Sequence, residues 1–310
     1  MPQQVYTMPL DTVENMKTYY KNSLQSTPQG AVFRAKTPNA VITTYKSGKV
    51  LFQGKDPAAE AGKWADAASS TPKHRQKNNE GNAQFAPPEA LFTSSHIGSD
   101  EAGTGDYFGP ITVAAVYVRK DQIELLKELG VKDSKNLTDS TIKKIAGDLM
   151  KLELPYSLMI LHNERYNQLQ RKKWSQGKMK AMLHHHAIDN VLKDKKAETP
   201  DGILIDQFCE PGIYKRHIGT EQQQLHEKTY FMTKAESYSI AVAAASIIAR
   251  TSFLNELDKL SAKTGATLPK GASGKVDQAA ARVIKANGKN MLEKCAKTHF
   301  ANTKKALARL

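Results

Sequence analysis

Cysteine, acidic charge and long apolar runs are all scarce in this 310-residue sequence. The two cysteines, Cys209 and Cys295, are too few for a disulfide framework and form no CxxC pair, so a reducing cytoplasm is the expected compartment. No stretch approaches the roughly 20 unbroken apolar residues of a bilayer-spanning helix, so no membrane association is expected. The longest apolar run, residues 239–249, is Ala-rich and lies between Tyr238 and Arg250, as a buried helix would. The opening MPQQVYTMPLD has no basic and no apolar leader segment, which argues against export. Asp and Glu number 31 against 45 Lys and Arg, a net charge of +14 that favours a polyanionic partner, nucleic acid first. With 40% hydrophobic residues the chain can still bury a core, in one to three domains.

Residues 68–94 contain SSTPKHRQKNNEGNAQFAPP, which is polar, carries Pro and Gly, and shows no apolar period; they read as a linker. Ahead of it, Val13, Met16, Tyr20 and Leu24 follow Asp11 at helical spacing, predicting a helix over 10–24. AVFRAK, AVITTYK and VLFQG predict strands, with Ser47 and Gly48 as a hairpin turn, and residues 57–67 predict a short helix. Residues 1–67 thus form a small α+β domain whose sheet keeps one face free, with Lys36, Lys46 and Lys49 as candidate contacts. Behind the linker, strands over 111–118, 156–161, 203–205 and 229–232 alternate with helices over 121–129, 138–152 and 238–260. A long amphipathic stretch from 163 to 191 breaks near Ser175. Such alternation predicts an α/β sheet core flanked by helices over residues 95–310.

The most informative segment is IGSDEAGTGDYFGP, residues 97–110. Asp100 and Glu101 end a strand signal and run into Gly103-Thr104-Gly105, where backbone can approach a ligand closely. Adjacent carboxylates repel unless a proton or cation lies between them. Taken alone, such a pair is usually a solvated acidic turn. Asp206, however, follows three large apolar residues in ILIDQF, where desolvating a carboxylate is costly, and Glu236 sits between a strand and a helix. Four acids at strand ends could converge on one sheet edge, and such hard oxygen donors suit Mg²⁺ or Mn²⁺ rather than zinc. For each acid separately, a salt bridge or a helix cap stays open. His184, His185 and His186 face different sides of one helix and cannot share an ion, so a solvated or partly packed helix is expected there. Trp174 with Arg171, Lys172 and Lys173 is equally consistent with nucleic-acid contact and with a plain basic helix end, and Cys209 reads as structural.

The blocks GSDEAGTGDYFGP, KDSKNLT (132–138) and SIAVAAASIIAR (239–250) together resemble the type 2 ribonuclease H family, in its ribonuclease HIII branch. In front, VITTYKSGKVLFQGK resembles the TATA-box-binding-protein-like domain of that branch. The resemblance implies a ribonuclease H-like catalytic domain over 95–310, preceded by that small α+β domain. It implies a cytoplasmic, monomeric endoribonuclease that hydrolyses the RNA strand of RNA–DNA hybrids with Mg²⁺ or Mn²⁺, leaving 3′-hydroxyl and 5′-phosphate ends, with a part in primer and hybrid removal during replication. The family's four metal-binding, catalytic acids map by motif onto Asp100, Glu101, Asp206 and Glu236.

Two metal ions could serve the attacking water and the 3′-oxygen leaving group, with Asp100 as the expected bridging ligand, Glu236 on the water side and Asp206 on the leaving-group side. The backbone of Gly103, Thr104 and Gly105 is the expected reader of the 2′-hydroxyl, the group that tells RNA from DNA. Ser134, Lys135 and Lys234 are the expected phosphate contacts. Relatives in the HII branch carry Asp at the last acid and Gly-Arg-Gly in the loop; Glu236 and Thr104 depart toward HIII and imply cutting within ribonucleotide runs rather than at a lone ribonucleotide. A non-catalytic nucleic-acid-binding protein is the rival reading, but such a module has no need of Asp206 at the end of an apolar strand. A related nuclease or integrase acting on DNA is the third.

Overall fold

A computed structural model describes residues 3–28, 30–64, 84–132 and 137–310. The chain divides into two compact units, Met1–Gly81 and Asn82–Leu310.

The first unit runs β1 (Gln3–Thr7), α1 (Leu10–Tyr19), β2 (Leu24–Gln25), β3 (Ala31–Lys36), β4 (Ala40–Tyr45), β5 (Lys49–Gly54) and α2 (Pro57–Gly62). Its strands pair antiparallel in the order β1-β5-β4-β3-β2. Val13, Met16 and Tyr20 pack on Phe33, Ile42, Val50 and Phe52, which alternate along their strands and leave the opposite sheet face without an apolar cover from this cluster. Lys36 and Lys49 lie out of phase with those core positions and are exposed, and exposed Lys46 sits in the turn before β5. Gly48 makes that turn at φ +78°, where a Cβ would come within 2.5 Å of the Met8 carbonyl oxygen. Helix α1 stops five residues short of the expected end. Leu24 repeats the helical spacing but pairs with Ala35 as a strand residue and is exposed, so its spacing is coincidental.

The second unit contains β6 (His96–Ala102), β7 (Ile111–Val118), α3 (Ile123–Glu128), α4 (Asp139–Lys151), β8 (Tyr156–Leu161), α5 (Asn163–Arg171), α6 (Gln176–Leu192), β9 (Gly202–Asp206), α7 (Pro211–Gly219), β10 (Thr229–Met232), α8 (Ile240–Thr264), α9 (Gly274–Asn287), α10 (Met291–Cys295) and α11 (Ala301–Leu307). Strand order is β10-β9-β6-β7-β8, with β10, β9 and β6 parallel and β7 antiparallel to both its neighbours. All eight residues of β7 are buried because helices cover both faces. Val113, Ala115 and Tyr117 pack toward α6, while Ala114, Val116 and Val118 pack toward α8.

Helix α8 is the Ala-rich run expected to be buried, and 72% of its most apolar window is indeed inside the protein. Ser239 caps it by accepting the Val242 N–H at 3.2 Å. Its small residues let it lie close on β6: a Cβ at Gly98 would fall 2.2 Å from Ala241 backbone, so only glycine fits there. Residues 84–94, read as the end of the linker, pack on this unit. Leu91 is buried and Phe85 meets Phe231 edge to face, with the Phe231 N–H donating to the Phe85 carbonyl at 2.8 Å. The preceding part of that stretch, up to residue 83, lies outside the described residues.

Candidate active site

Parallel pairing sets β6, β9 and β10 side by side with their C-terminal ends on one edge. Asp100 and Glu101 lie at that end of β6, Asp206 is the last residue of β9, and Glu236 follows β10 in a short 3₁₀ turn, Ala235–Ser237. The Ala235 N–H donates to Asp206 Oδ1 at 2.8 Å, which ties the end of β9 to the turn that carries Glu236. All four expected acids therefore meet at one sheet edge.

Electrostatics in this cluster are those of too many negative charges. Burial, then the charges of Glu101 and Asp206, push the Asp100 carboxyl well above the usual range, although Ser246 and the Glu101 N–H, at 2.7 Å, hydrogen-bond to it. Burial also pushes Asp206 up, to about 6, helped by Glu236 and Glu101. Glu101 behaves oppositely. Burial would raise it, but His184 and Lys180 outweigh that penalty and hold it below the ordinary carboxylate range. Lys180 Nζ donates to Glu101 Oε1 at 2.6 Å and His184 Nε2 lies 2.9 Å from Oε2. Phe208 backs both partners, stacking on the His184 ring and lying beneath Lys180 Nζ at 3.9 Å.

The loop after β6 is held rigidly. Gly103 sits at φ +86°, and a Cβ there would come 2.3 Å from the Pro110 carbonyl oxygen and 2.7 Å from Phe253. Gly105 is exposed with open space around it, and the Thr104 carbonyl accepts from Gln176 Nε2 at 3.0 Å. Thr104 Oγ1 is buried without a hydrogen-bond partner among the described residues. Beneath the loop, the fully buried Lys297 donates to the Asp106 and Gly109 carbonyls at 2.8 and 2.6 Å, and burial pushes its ammonium down to about 7. Asn163 adds a 2.9 Å bond to the Gly109 carbonyl.

Lys234 is exposed, at φ 58°, in the turn before Glu236. Ser134 and Lys135 lie outside the described residues. A cavity of about 520 Å³ opens beside Glu236, lined among others by Lys127, Lys132, Ser237 and the exposed Tyr238.

A donor set of four carboxylates, two of them raised by their neighbours' charge, fits hard divalent cations: a cation would relieve the repulsion that a proton otherwise relieves. Comparison with known proteins points the same way. Residues 97–303 match the family model described as Ribonuclease HII, and residues 3–77 match a domain of unknown function, DUF3378. Ribonuclease HIII of Oceanobacillus iheyensis is 56% identical over 99% of both chains, and that of Bacillus subtilis is 52% identical over 99% of this chain and 97% of the other. The chain belongs to the ribonuclease HIII family. The crystal structure of Bst-RNase HIII in complex with Mn²⁺ superposes with a TM-score of 0.68 at 44% identity, covering 99% of each chain. The ribonuclease H-like core with its small front domain is thus the fold of this branch, and the chain is a divalent-metal-dependent enzyme.

Three residues of this ribonuclease HIII chain's site escape the sequence reading. Lys180 and His184 sit four apart on α6, so both reach Glu101 from one helix face. The expectation of a solvated or partly packed His184 is corrected: it is fully buried, with Nδ1 2.7 Å from Ser99 Oγ. The histidine run does face three ways, since His185 points to Gln223 and His226 while His186 is exposed. Lys297 is the third; a lone lysine nearly 200 residues from its loop carries no local signal.

Proposed function

We propose that this chain is a cytoplasmic, monomeric endoribonuclease that cuts the RNA strand of RNA–DNA hybrids within runs of ribonucleotides, leaving 3′-hydroxyl and 5′-phosphate ends. The observation that carries the reading is the convergence of Asp100, Glu101, Asp206 and Glu236 on one sheet edge, with Asp100 and Asp206 raised by burial and by neighbouring carboxylates.

Bound divalent cations supply charge to activate a water and to stabilise the departing 3′-oxygen. The four carboxylates are the ligands that would hold them: Asp100 between the two positions, Glu236 toward the water and Asp206 toward the leaving group. Lys180 and His184 fix the Glu101 carboxylate so that its oxygens do not swing toward Asp100. Gln176 holds the Thr104 carbonyl, and Lys297 and Asn163 hold the Asp106 and Gly109 carbonyls just beyond it, before substrate arrives, so that backbone groups of Gly103, Thr104 and Gly105 read a 2′-hydroxyl without first ordering.

Lys127 and Lys132 beside the Glu236 cavity, together with Lys135 and Lys234, serve neighbouring phosphates. In the front domain, the sheet face bearing Lys36 and Lys49 holds the hybrid backbone and raises its concentration at the nuclease. Thr104, with its hydroxyl buried, offers no charged clamp for a single RNA–DNA junction.

The test is digestion of matched duplexes with Mg²⁺: hybrid, DNA, RNA, and DNA with one embedded ribonucleotide. Efficient cutting of the hybrid alone is expected. Cutting of DNA would favour the wider nuclease and integrase class, and equal kcat/KM on the single-ribonucleotide duplex would remove the specificity reading.

A further inference from the structure

On the side of α6 turned away from Glu101, a second group of metal-ligating side chains assembles. His185 and Asp189 lie one turn apart, and His226 reaches them from the loop between α7 and β10. One ligand atom from each lies within 4.8 Å of the others. We propose that His185, Asp189 and His226 form a transition-metal site of the zinc type, distinct from the carboxylate centre, that clamps the loop before β10 onto α6.

Each ligand is prepared by a neighbour. The carbonyl oxygen of the Gln223 side chain accepts from His185 Nε2 at 3.2 Å, which leaves Nδ1 with the free lone pair. Asp189 divides its oxygens: Oδ2 accepts from Lys193 at 2.7 Å on the outside, while Oδ1 faces His226 at 3.5 Å. His226 Nε2 is buried with no hydrogen-bond partner among the described residues, and it faces Asp189 Oδ1 at 3.5 Å, beyond a good hydrogen bond. Thr229 anchors it by donating to the His226 carbonyl at 2.8 Å. The loop residues on either side, Gln222 and Lys228, hold left-handed φ of 59° and 52°, conformations that a relaxed chain avoids.

Two imidazoles and one carboxylate make a softer, smaller set than four carboxylates, which favours Zn²⁺ over Mg²⁺ and leaves a fourth position for water. The two imidazole rings stack at 5.0 Å between centroids, which brings both histidines to the same side of Asp189.

The experiment is a Co²⁺ titration of the metal-free full-length protein in excess Mg²⁺, which occupies the carboxylate centre, followed by visible absorption. One equivalent of Co²⁺ with an intense low-coordination spectrum is expected, displaced by one equivalent of Zn²⁺. His226→Asn and Asp189→Asn should each weaken that binding at least as much as the roughly 10- to 100-fold that loss of an outer partner costs. Asp100→Asn should leave it unchanged. A spectrum that is absent, that survives both His226→Asn and Asp189→Asn, or that is lost in Asp100→Asn overturns the proposal. The partly exposed Asp189 keeps the test open should the His226 variant fail to fold.

Discussion

Lys180 and Glu101, 79 residues apart in sequence, form a buried ion pair at 2.6 Å in the middle of the acid cluster. A cation placed there stabilises Glu101 but also repels any divalent ion that enters. Lys180→Met keeps a long side chain and removes the charge over Phe208. The Mg²⁺ concentration for half-maximal hybrid cleavage should fall by at least about tenfold, since a unit charge a few ångströms from a divalent ion at an effective dielectric near 20 is worth several kcal/mol, about 1.4 kcal/mol being a factor of ten. At saturating Mg²⁺, kcat should drop because Glu101 loses a positioning contact. An unchanged midpoint in the Mg²⁺ titration would mean that the lysine charge is not felt at the metal positions.

Two glycines of the same loop should behave differently. Gly103→Ala forces a Cβ against the Pro110 carbonyl and Phe253 at a positive φ, and should destabilise the fold by more than about 2 kcal/mol. Gly105→Ala meets nothing within 4 Å and should change stability by no more than about 0.5 kcal/mol. Its effect should appear instead as a raised KM for hybrid, if backbone at this residue meets the substrate. Urea unfolding of both variants, beside steady-state kinetics of the second, separates the two roles.

Acid should loosen the contact between β6 and α8 through His96. This buried ring donates from Nδ1 to the Ser94 carbonyl at 2.8 Å and accepts at Nε2 from the Ser239 hydroxyl at 2.7 Å. Burial lowers its pKa, so the folded protein keeps it neutral while the unfolded chain takes up a proton near the ordinary value of about 6.5. Its stabilising contribution is complete above that value and is lost as pH falls below it, until the folded ring also protonates. The wild-type unfolding free energy should therefore decline more steeply from pH 7 to 5 than that of His96→Gln, by up to about 1.4 kcal/mol per pH unit. Parallel slopes for the two proteins would contradict this.

How much could be read from the chain follows from the range of the interactions. Strand β7 and helix α8 announce themselves in sequence because burial on all sides demands unbroken apolar residues, and the four acids stand out against those apolar neighbours. The end of α1 was obscured because Leu24 continues the helical period while its backbone pairs with β3. Helices α9 to α11 fall outside the expected elements, although Val276, Ala280 and Val283 recur at helical spacing in α9. Lys180 and His184 were hidden for another reason: a basic, histidine-bearing helix looks solvated until the sheet that it covers is known. Residues 85–92 read as linker because their apolar members, Phe85, Leu91 and Phe92, are too few to set a period, yet each finds a place on the second unit.

The front domain should act on affinity rather than chemistry. Lys36→Glu combined with Lys49→Glu reverses charge on exposed positions of one sheet face without touching the apolar cluster beneath. The KM for hybrid should rise severalfold with kcat nearly constant, and the dependence of KM on salt should flatten. A KM equal to wild type at low salt would assign that face to another partner. Truncation at residue 88 is a poorer test, since it also removes Phe85 from its contact with Phe231.

The account's central claim is that the four carboxylates perform hydrolysis together while affinity for hybrid comes mainly from elsewhere. Asp206→Asn probes it most directly, because it removes one ligand charge and keeps both the shape and an oxygen that can accept the Ala235 N–H. Single-turnover cleavage of a labelled hybrid should fall by at least about 1000-fold, as when a group working inside a catalytic set is removed. Hybrid binding by the same protein should stay within about threefold of wild type, because phosphate contacts dominate affinity. Cleavage at the wild-type rate with Mg²⁺ at ordinary concentration would contradict the assignment of Asp206 to the centre and, with it, the four-acid site.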